Sequence, residues 1–338
     1  MTGNSTFAFD DVAIVSVESV DAPEVVTSEQ IDERLGDFYE RTGARRGLLE
    51  DLAGIRERRQ WPEGTSFMEA AAKAGERAIE ASGIDRNRIG LMIDSSVCRA
   101  RLEPSSAVTV HDLLGLPTTC MNFDVSNACL GFLNGMHLAG TMIETGQIDY
   151  ALVVDGEDIR QIHNNTITKL NSPDASKDAL FDNFATLTLG SGSAAMVLGR
   201  HSENPGSHQL KGGFFRANTS YNDLCVGSLD GMRTDSRGLL EACTEVAKLA
   251  WDDAGDKDGW FEVDHYILHQ VSEVHTEAVV ATLGIDGDRL PRSFPMYGNI
   301  GPAAIPVTLH KTDPKPGEKV MLLGMGSGIN TAVFVIEW

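Results

Sequence analysis

Cys129, His269 and Asn299 lie in short polar turns at the ends of β-forming runs, an arrangement suited to nucleophilic chemistry on a carbonyl. In Asn122-Phe123-Asp124-Val125-Ser126-Asn127-Ala128-Cys129-Leu130-Gly131-Phe132 a β-run ends in a polar turn. A helical pattern follows, with Leu130, Leu133, Met136, Met142 and Ile143 at its apolar positions. A thiol at a helix N-terminus feels the positive end of the macrodipole, which lowers its pKa and favours the thiolate. The backbone amides of such a turn can also donate to a developing oxyanion. A cysteine considered alone is as a rule buried and structural. His269, in His265-Tyr266-Ile267-Leu268-His269-Gln270, changes that balance, because an imidazole just past a strand projects into a cleft. Asn299, in Tyr297-Gly298-Asn299-Ile300-Gly301, adds a glycine-bounded turn before a helix.

Positioning these groups requires strands with helices between them. β-Forming runs recur at Val12–Val17, Ile89–Ile93, Met121–Val125, Tyr150–Val154, Ala194–Leu198, Tyr266–Leu268, Val320–Leu323 and Thr331–Ile336. Helical periodicity marks Phe67–Ser82, after a Thr65-Ser66 start signal, and Leu239–Trp251. The alternation predicts an α/β fold. Gly190-Ser191-Gly192 leads into one strand and Gly326-Ser327-Gly328 into another, an echo consistent with a duplicated unit. The turn-rich segment His201–Gly206 separates an N-terminal half, residues 1–200, from a C-terminal half, residues 201–338. The polar stretch Asp158–Leu187 fits neither period and reads as an excursion between strands.

Composition narrows the choice of partners. A net charge of -21 repels nucleic acid and anionic lipid at long range, and any anionic ligand must find a local basic patch. The densest such patch is Arg45, Arg46, Arg56, Arg58 and Arg59 beside Trp61. No apolar run reaches the roughly 18 to 20 residues of a membrane helix, and Met1–Thr6 carries no secretory signature. Five scattered cysteines without a Cys-x-x-Cys pair suit reduced thiols in a cytoplasm, with no metal site.

The motifs Asn127-Ala128-Cys129-Leu130-Gly131-Phe132, His269-Gln270 and Tyr297-Gly298-Asn299 resemble the Cys-His-Asn site of β-ketoacyl-ACP synthase III and its thiolase-superfamily relatives. Gly324-Met325-Gly326-Ser327-Gly328 resembles their glycine-rich oxyanion turn, which would assign Ser327 and Gly328 to the oxyanion hole. Ala53-Gly54-Ile55-Arg56-Glu57-Arg58-Arg59 is also typical of the group. Val271-Ser272 and Ile300-Gly301 stand where the fatty-acid initiation enzyme usually has Ala-Asn and Thr-Ser. With Leu102-Glu103-Pro104-Ser105, these forms resemble the OleA family, whose glutamate stands 26 residues before the nucleophile, as Glu103 does here.

The resemblance implies a thiolase fold of two pseudo-duplicated α/β halves in α-β-α-β-α layers. It implies an acyltransferase of lipid metabolism and olefin biosynthesis that joins two fatty acyl-CoA molecules head to head. Cys129 would carry the acyl group, His269 and Asn299 would hold an enolate, and Glu103 would act as base across a homodimer interface. Coenzyme A would enter only as the substrate's carrier, met by Arg56, Arg58 and Trp61. No resident cofactor is expected. Two alternatives stand beside this reading: a decarboxylating synthase using malonyl-ACP or malonyl-CoA, and one subunit of a β-lactone-pathway heterodimer. Retention of all four catalytic residue types on one chain argues against the latter.

Overall fold

The computed structural model describes residues 3–228, 231–256 and 259–338. The first repeat runs through strand β1 (Val12–Val20), helix α1 (Phe67–Ser82), β2 (Ile89–Asp94), α2 (Ser106–Leu113), β3 (Met121–Asp124) and α3 (Gly131–Glu144). It continues through β4 (Tyr150–Glu157), α4 (Arg160–Asn171) and β5 (Gly192–Arg200). The second repeat comprises β6 (His208–Ala217), α5 (Ser236–Ala254), β7 (His265–Leu268), α6 (Glu273–Leu283), α7 (Ala304–Thr312), β8 (Lys319–Gly326) and β9 (Asn330–Glu337).

The strands form one sheet in the order β7-β8-β9-β6-β1-β5-β4-β2-β3, with Ser5–Ala8 added beside β6. β2-β4-β5-β1 and β7-β8-β9-β6 follow the same plan. The first pair in each set is parallel and the next two pairings are antiparallel. The glycine echo before β5 and β9 is therefore the trace of one unit used twice. The halves join through a short β1–β6 contact, Ala13 with Gln209 and Ile14 with His208.

Local signals explain the elements. Helix α1 opens on a Ser66–Glu69 capping box and closes on Gly83 in the left-handed region at φ 66. Strands β4 and β5 are apolar along nearly their whole length because helices cover both faces. Helix α3 contributes Leu130, Phe132, Leu133, Met136, Ala139 and Ile143 to a core shared with Val153, Met196, Leu322 and Phe334. Ile305 and Leu309 of α7 enter the same core, so α3 and α7 form a middle layer between the two arms of the sheet. Helices α1 and α2 cover one outer face and α5 and α6 the other, giving five layers. The main core thus belongs to both halves.

The eight predicted strands are present. Strand β6 was missed because its Lys211-Gly212-Gly213 breaks both apolar alternation and strand propensity. The polar excursion after β4 contains α4 and two short helices, Ala179–Asp182 and Phe184–Leu187. Ile167, Leu170, Leu180 and Leu187 there pack on Ile31, Leu35, Phe38 and Leu49. Among the described residues no helix is long and apolar enough to cross a membrane.

Candidate active site

Strand β3 ends at Asp124, and the chain turns through Ala128, a non-glycine residue at φ 46, before α3 begins at Gly131. Cys129 sits at the top of that turn. Asn127 ties it down from two sides: its Nδ2 donates to Asn134 Oδ1 of α3 at 2.8 Å, and its Oδ1 accepts from Asn330 Nδ2 of β9 at 3.2 Å. The end of β8 presses against the same turn. A Cβ on Gly326 would lie 2.8 Å from the Asn127 carbonyl, so only glycine permits this approach.

Burial pushes the Cys129 thiol well above its ordinary value, and Glu157, Cys225 and Asp155 raise it further. The expected lowering by the helix dipole is overridden. Helix α3 starts two residues beyond Cys129, and partial charges at that remove do not offset desolvation and nearby carboxylates. The thiol is therefore the resting form.

His269 follows β7 directly and its amide donates to Leu323 O of β8 at 2.8 Å. That anchor puts it at the end of the sheet where Gly326 meets the cysteine turn. The imidazole is 3% exposed, and its Nδ1 has no hydrogen-bond partner among the described residues. Burial, with the neighbouring His275, pushes its pKa down to about 3. It is a neutral ring at physiological pH, able to donate a hydrogen bond and poor at taking a proton.

Asn299 occupies in the second repeat the place of Cys129 in the first, the turn before the middle-layer helix. Its amide donates to Thr188 O and its carbonyl accepts from Gly190 N, both at 2.9 Å. A Cβ on Gly190 would lie 1.8 Å from Tyr297 O, which makes glycine obligatory in this crossing. Asn299 Oδ1 accepts from Gly301 N at 3.0 Å, which leaves the side-chain NH2 as the group free to donate.

Gln270 and Glu157 were not assigned roles from the sequence. The fully buried Gln270 accepts from the amides of Ser293 at 2.7 Å and Phe294 at 3.1 Å, and donates to Pro291 O at 2.6 Å. It locks the segment leading to Asn299 onto the residue next to His269. Glu157 ends β4, with Asp155 two residues earlier and Asp94 at the end of β2, all buried. Burial raises Glu157 to about 7 and Asp94 to about 6, and raises Asp155 strongly. Acidic residues closing otherwise apolar strands were the available sign.

Ser327 and Gly328 form the turn between β8 and β9, and among the described residues neither amide donates within the chain. Glu103 does not join this chain's own site. It lies on the exposed loop Arg99–Pro104, whose Leu102 is 101% exposed. Of the residues expected to meet coenzyme A, Arg56 is exposed, with its Nη2 beside Met296 Sδ at 3.4 Å. Arg58 and Trp61 correct the expectation. Arg58 is 0% exposed with its Nη1 on Ser28 Oγ, and Trp61 is 3% exposed with its Nε1 on Glu157 O. Alternation along Glu57–Gln60 turns Arg58 inward, where no phosphate can reach it.

The chain matches the family models described as 3-oxoacyl-(acyl-carrier-protein) synthase III over residues 123–213 and its C-terminal part over residues 260–338. It is 42% identical to the acyl-CoA:acyl-CoA alkyltransferase of Xanthomonas campestris, covering 98% of this chain and 99% of that protein. This chain belongs to the OleA family of the thiolase superfamily. The alkyltransferase of Shewanella oneidensis is 33% identical, covering 94% of this chain and 96% of its own length. A cysteine-to-serine variant of Xanthomonas campestris OleA, solved with bound lauric acid and lauroyl-CoA, superposes with a TM-score of 0.95 at 41% identity. The match covers 98% of this chain and 100% of that one. Other solved variants of that OleA replace a histidine or a glutamate. Like its OleA relatives, this chain is an acyltransferase.

Proposed function

We propose that this protein catalyses the non-decarboxylative head-to-head Claisen condensation of two fatty acyl-CoA molecules to a 2-alkyl-3-oxo acid. The observation that carries the reading is the 42% identity, over 98% of this chain, to an acyl-CoA:acyl-CoA alkyltransferase in a chain that has the Cys129 turn, a neutral His269 and the Asn299 turn.

In the first step the Cys129 sulfur forms a bond to the acyl carbon, the thioester bond to coenzyme A breaks, and the thiol proton leaves with the coenzyme A thiol. The amides of Cys129 and of the Ser327-Gly328 turn stabilise the tetrahedral oxyanion. In the second step an α-proton is taken from a second acyl-CoA. His269 and the Asn299 NH2 donate to the enolate oxygen, the resulting carbanion bonds to the acyl-Cys129 carbonyl carbon, the thioester bond to Cys129 breaks, and the Cys129 sulfur regains its proton from the base that took the α-proton. Water then releases the remaining thioester as the acid.

A ring held neutral down to about pH 3 is unsuited to removing an α-proton. The base must come from elsewhere, and Glu103 of the partner subunit meets that need. Several features support a homodimer. β3 is one edge of the sheet, and Met121 on it, Val97 and Leu102 on the segment around Glu103 and Val108 on α2 are exposed. An unpaired strand edge rimmed by apolar side chains suits a second copy of the chain. Arg56 is the remaining candidate for a coenzyme A phosphate. Such a reaction belongs to lipid metabolism and olefin biosynthesis, and the five free cysteines suit a reducing cytoplasm.

With myristoyl-CoA as sole substrate, Glu103→Ala should form acyl-Cys129 and release one coenzyme A per site, without condensed product. Cys129→Ala should form no acyl-enzyme in an intact-mass measurement. Undiminished condensation by Glu103→Ala would remove the base assignment, and product appearing only with malonyl thioester would replace the reaction by a decarboxylating one.

A further inference from the structure

Three buried carboxylates outside the Cys-His-Asn set hold one short stretch of backbone. Ser95 Oγ donates to Asp155 Oδ2 at 2.7 Å, and Ser96 N donates to Asp94 Oδ1 at 2.9 Å. Val97 N donates to Glu157 Oε1 at 2.5 Å and Cys98 N to Glu157 Oε2 at 3.3 Å. These four residues begin the loop whose exposed tip carries Glu103. Glu157 makes the last carboxylate attachment to a backbone amide before that tip, and beyond it Arg99 Nε lies 3.9 Å from Asp124 Oδ2.

Glu157 also lies against the turn that carries Asn299. Its Cδ lies 3.5 Å from where a Cβ on Gly301 would stand, and Gly301 is the residue whose amide orients Asn299. Its charge acts on the Cys129 thiol. One carboxylate thus touches both the turn that serves this subunit and the loop proposed to serve its neighbour.

We infer that Glu157 is a positioning residue whose ionised carboxylate holds the Glu103 loop in place for condensation. The inference rests on the reading of Glu103 as the base donated across the dimer. An ionised carboxylate offers acceptors to both amides at once, whereas protonation turns one oxygen into a donor and forfeits part of the grip. The groups facing Glu157 set where that happens. They are Asp94 from β2, Asp155 from β4, Cys98 from the loop and Cys129 from the nucleophile turn, with Arg99 acting on Asp94 and Asp155 and Asp158 acting on Cys98. Trp61 contributes only an N–H, to the Glu157 carbonyl. Burial, with the nearby Asp94, raises the carboxyl to about 7 against the lowering by its Cys98 and Val97 bonds, so it titrates within an ordinary assay range.

The test compares the acylation burst and the condensation rate across the neutral pH range in the wild type and in Glu157→Gln. Hydrogen exchange is followed in parallel on peptides spanning residues 95–104. In the wild type, condensation should fall on the acid side with an ionisation that acylation lacks. In Glu157→Gln that limb should vanish, with condensation lowered at least tenfold, acylation not lowered because a charge that raises the Cys129 thiol is gone, and Val97 and Cys98 exchanging faster. An unchanged acid limb and rate, or equal loss of acylation and condensation, overturns the inference. Should Glu157→Gln fail to fold, wild-type exchange decides: equal protection of Val97 and Cys98 on both sides of the ionisation, after correction for intrinsic rates, overturns it. If Glu103→Ala condenses normally, the base reading fails, while the exchange of these amides still reports separately whether Glu157 holds the loop.

Discussion

Gln270→Ala is the substitution whose cost can be worked most directly from the geometry. The change strands the amides of Ser293 and Phe294 and the carbonyl of Pro291, which Gln270 satisfies at 2.7, 3.1 and 2.6 Å. The Phe294 bond is buried and the other two are partly buried. An unsatisfied buried polar group costs roughly 1–3 kcal/mol and a partly buried one less, so the three together cost roughly 3–5 kcal/mol. With an unfolding entropy near 2.1 cal/mol/K per residue, that corresponds to a fall in Tm of about 4–7 °C for a chain of this length. The functional effect is larger than the stability effect suggests. Residues 291–298 lead into Asn299, and a shift of about 1 Å in a positioning group can cost on the order of a hundredfold in rate. Calorimetry would read the Tm, and coenzyme A release against condensed product would separate acylation from condensation. Condensation should suffer more than acylation, because Asn299 is assigned to the enolate and the nucleophile turn is held independently by Asn134 and Asn330. A variant with wild-type Tm and wild-type condensation would refute the reasoning.

Two further outcomes follow from the same structure. His163, His269 and His275 are held neutral by burial at about 3, about 3 and about 4, below the 6.5 of the free ring, so they contribute stability that is lost as pH falls from about 6.5 toward 3. Asp94 and Glu157 are raised from 3.8 to about 6 and from 4.5 to about 7, so they contribute stability that is lost as pH rises through those windows. Asp155, raised strongly, opposes the histidines as a third carboxyl, and three groups against three predict a nearly flat Tm between about pH 4.5 and 6 with a decline below about pH 4. A Tm rising steadily across the middle interval would contradict it. Arg56→Ala should raise the KM for acyl-CoA about three- to tenfold with kcat unchanged, the worth of one exposed cation on a phosphate. An unchanged KM would remove Arg56 from the coenzyme A mouth.

How much of this was legible beforehand follows from the range of each interaction. The Cys129 turn was readable because strand, polar turn and helix are consecutive in the chain, and the strands because apolar runs of that length must be covered on both faces. Family motifs around His269, Asn299 and the Ser327-Gly328 turn carried their identity in neighbouring residues. What the sequence by itself determined is therefore the set of local turns and the family that uses them.

Tertiary structure decided the rest. Burial depends on what packs opposite a residue, so the arginine cluster could not reveal that Arg58 is sealed inside while Arg56 is exposed. The thiol pKa was expected to fall by a helix-dipole argument and instead rises, because burial desolvates it and Glu157 and Asp155 arrive from a strand distant in sequence. The equivalence of the Cys129 and Asn299 turns became visible only when the two repeats were laid along one sheet. The grip of Glu157 on Val97 and Cys98 joins residues 60 and 59 positions apart, a relation no local pattern encodes. Local chemistry is written in consecutive residues, whereas desolvation and charge act through space and take their values from the assembled fold.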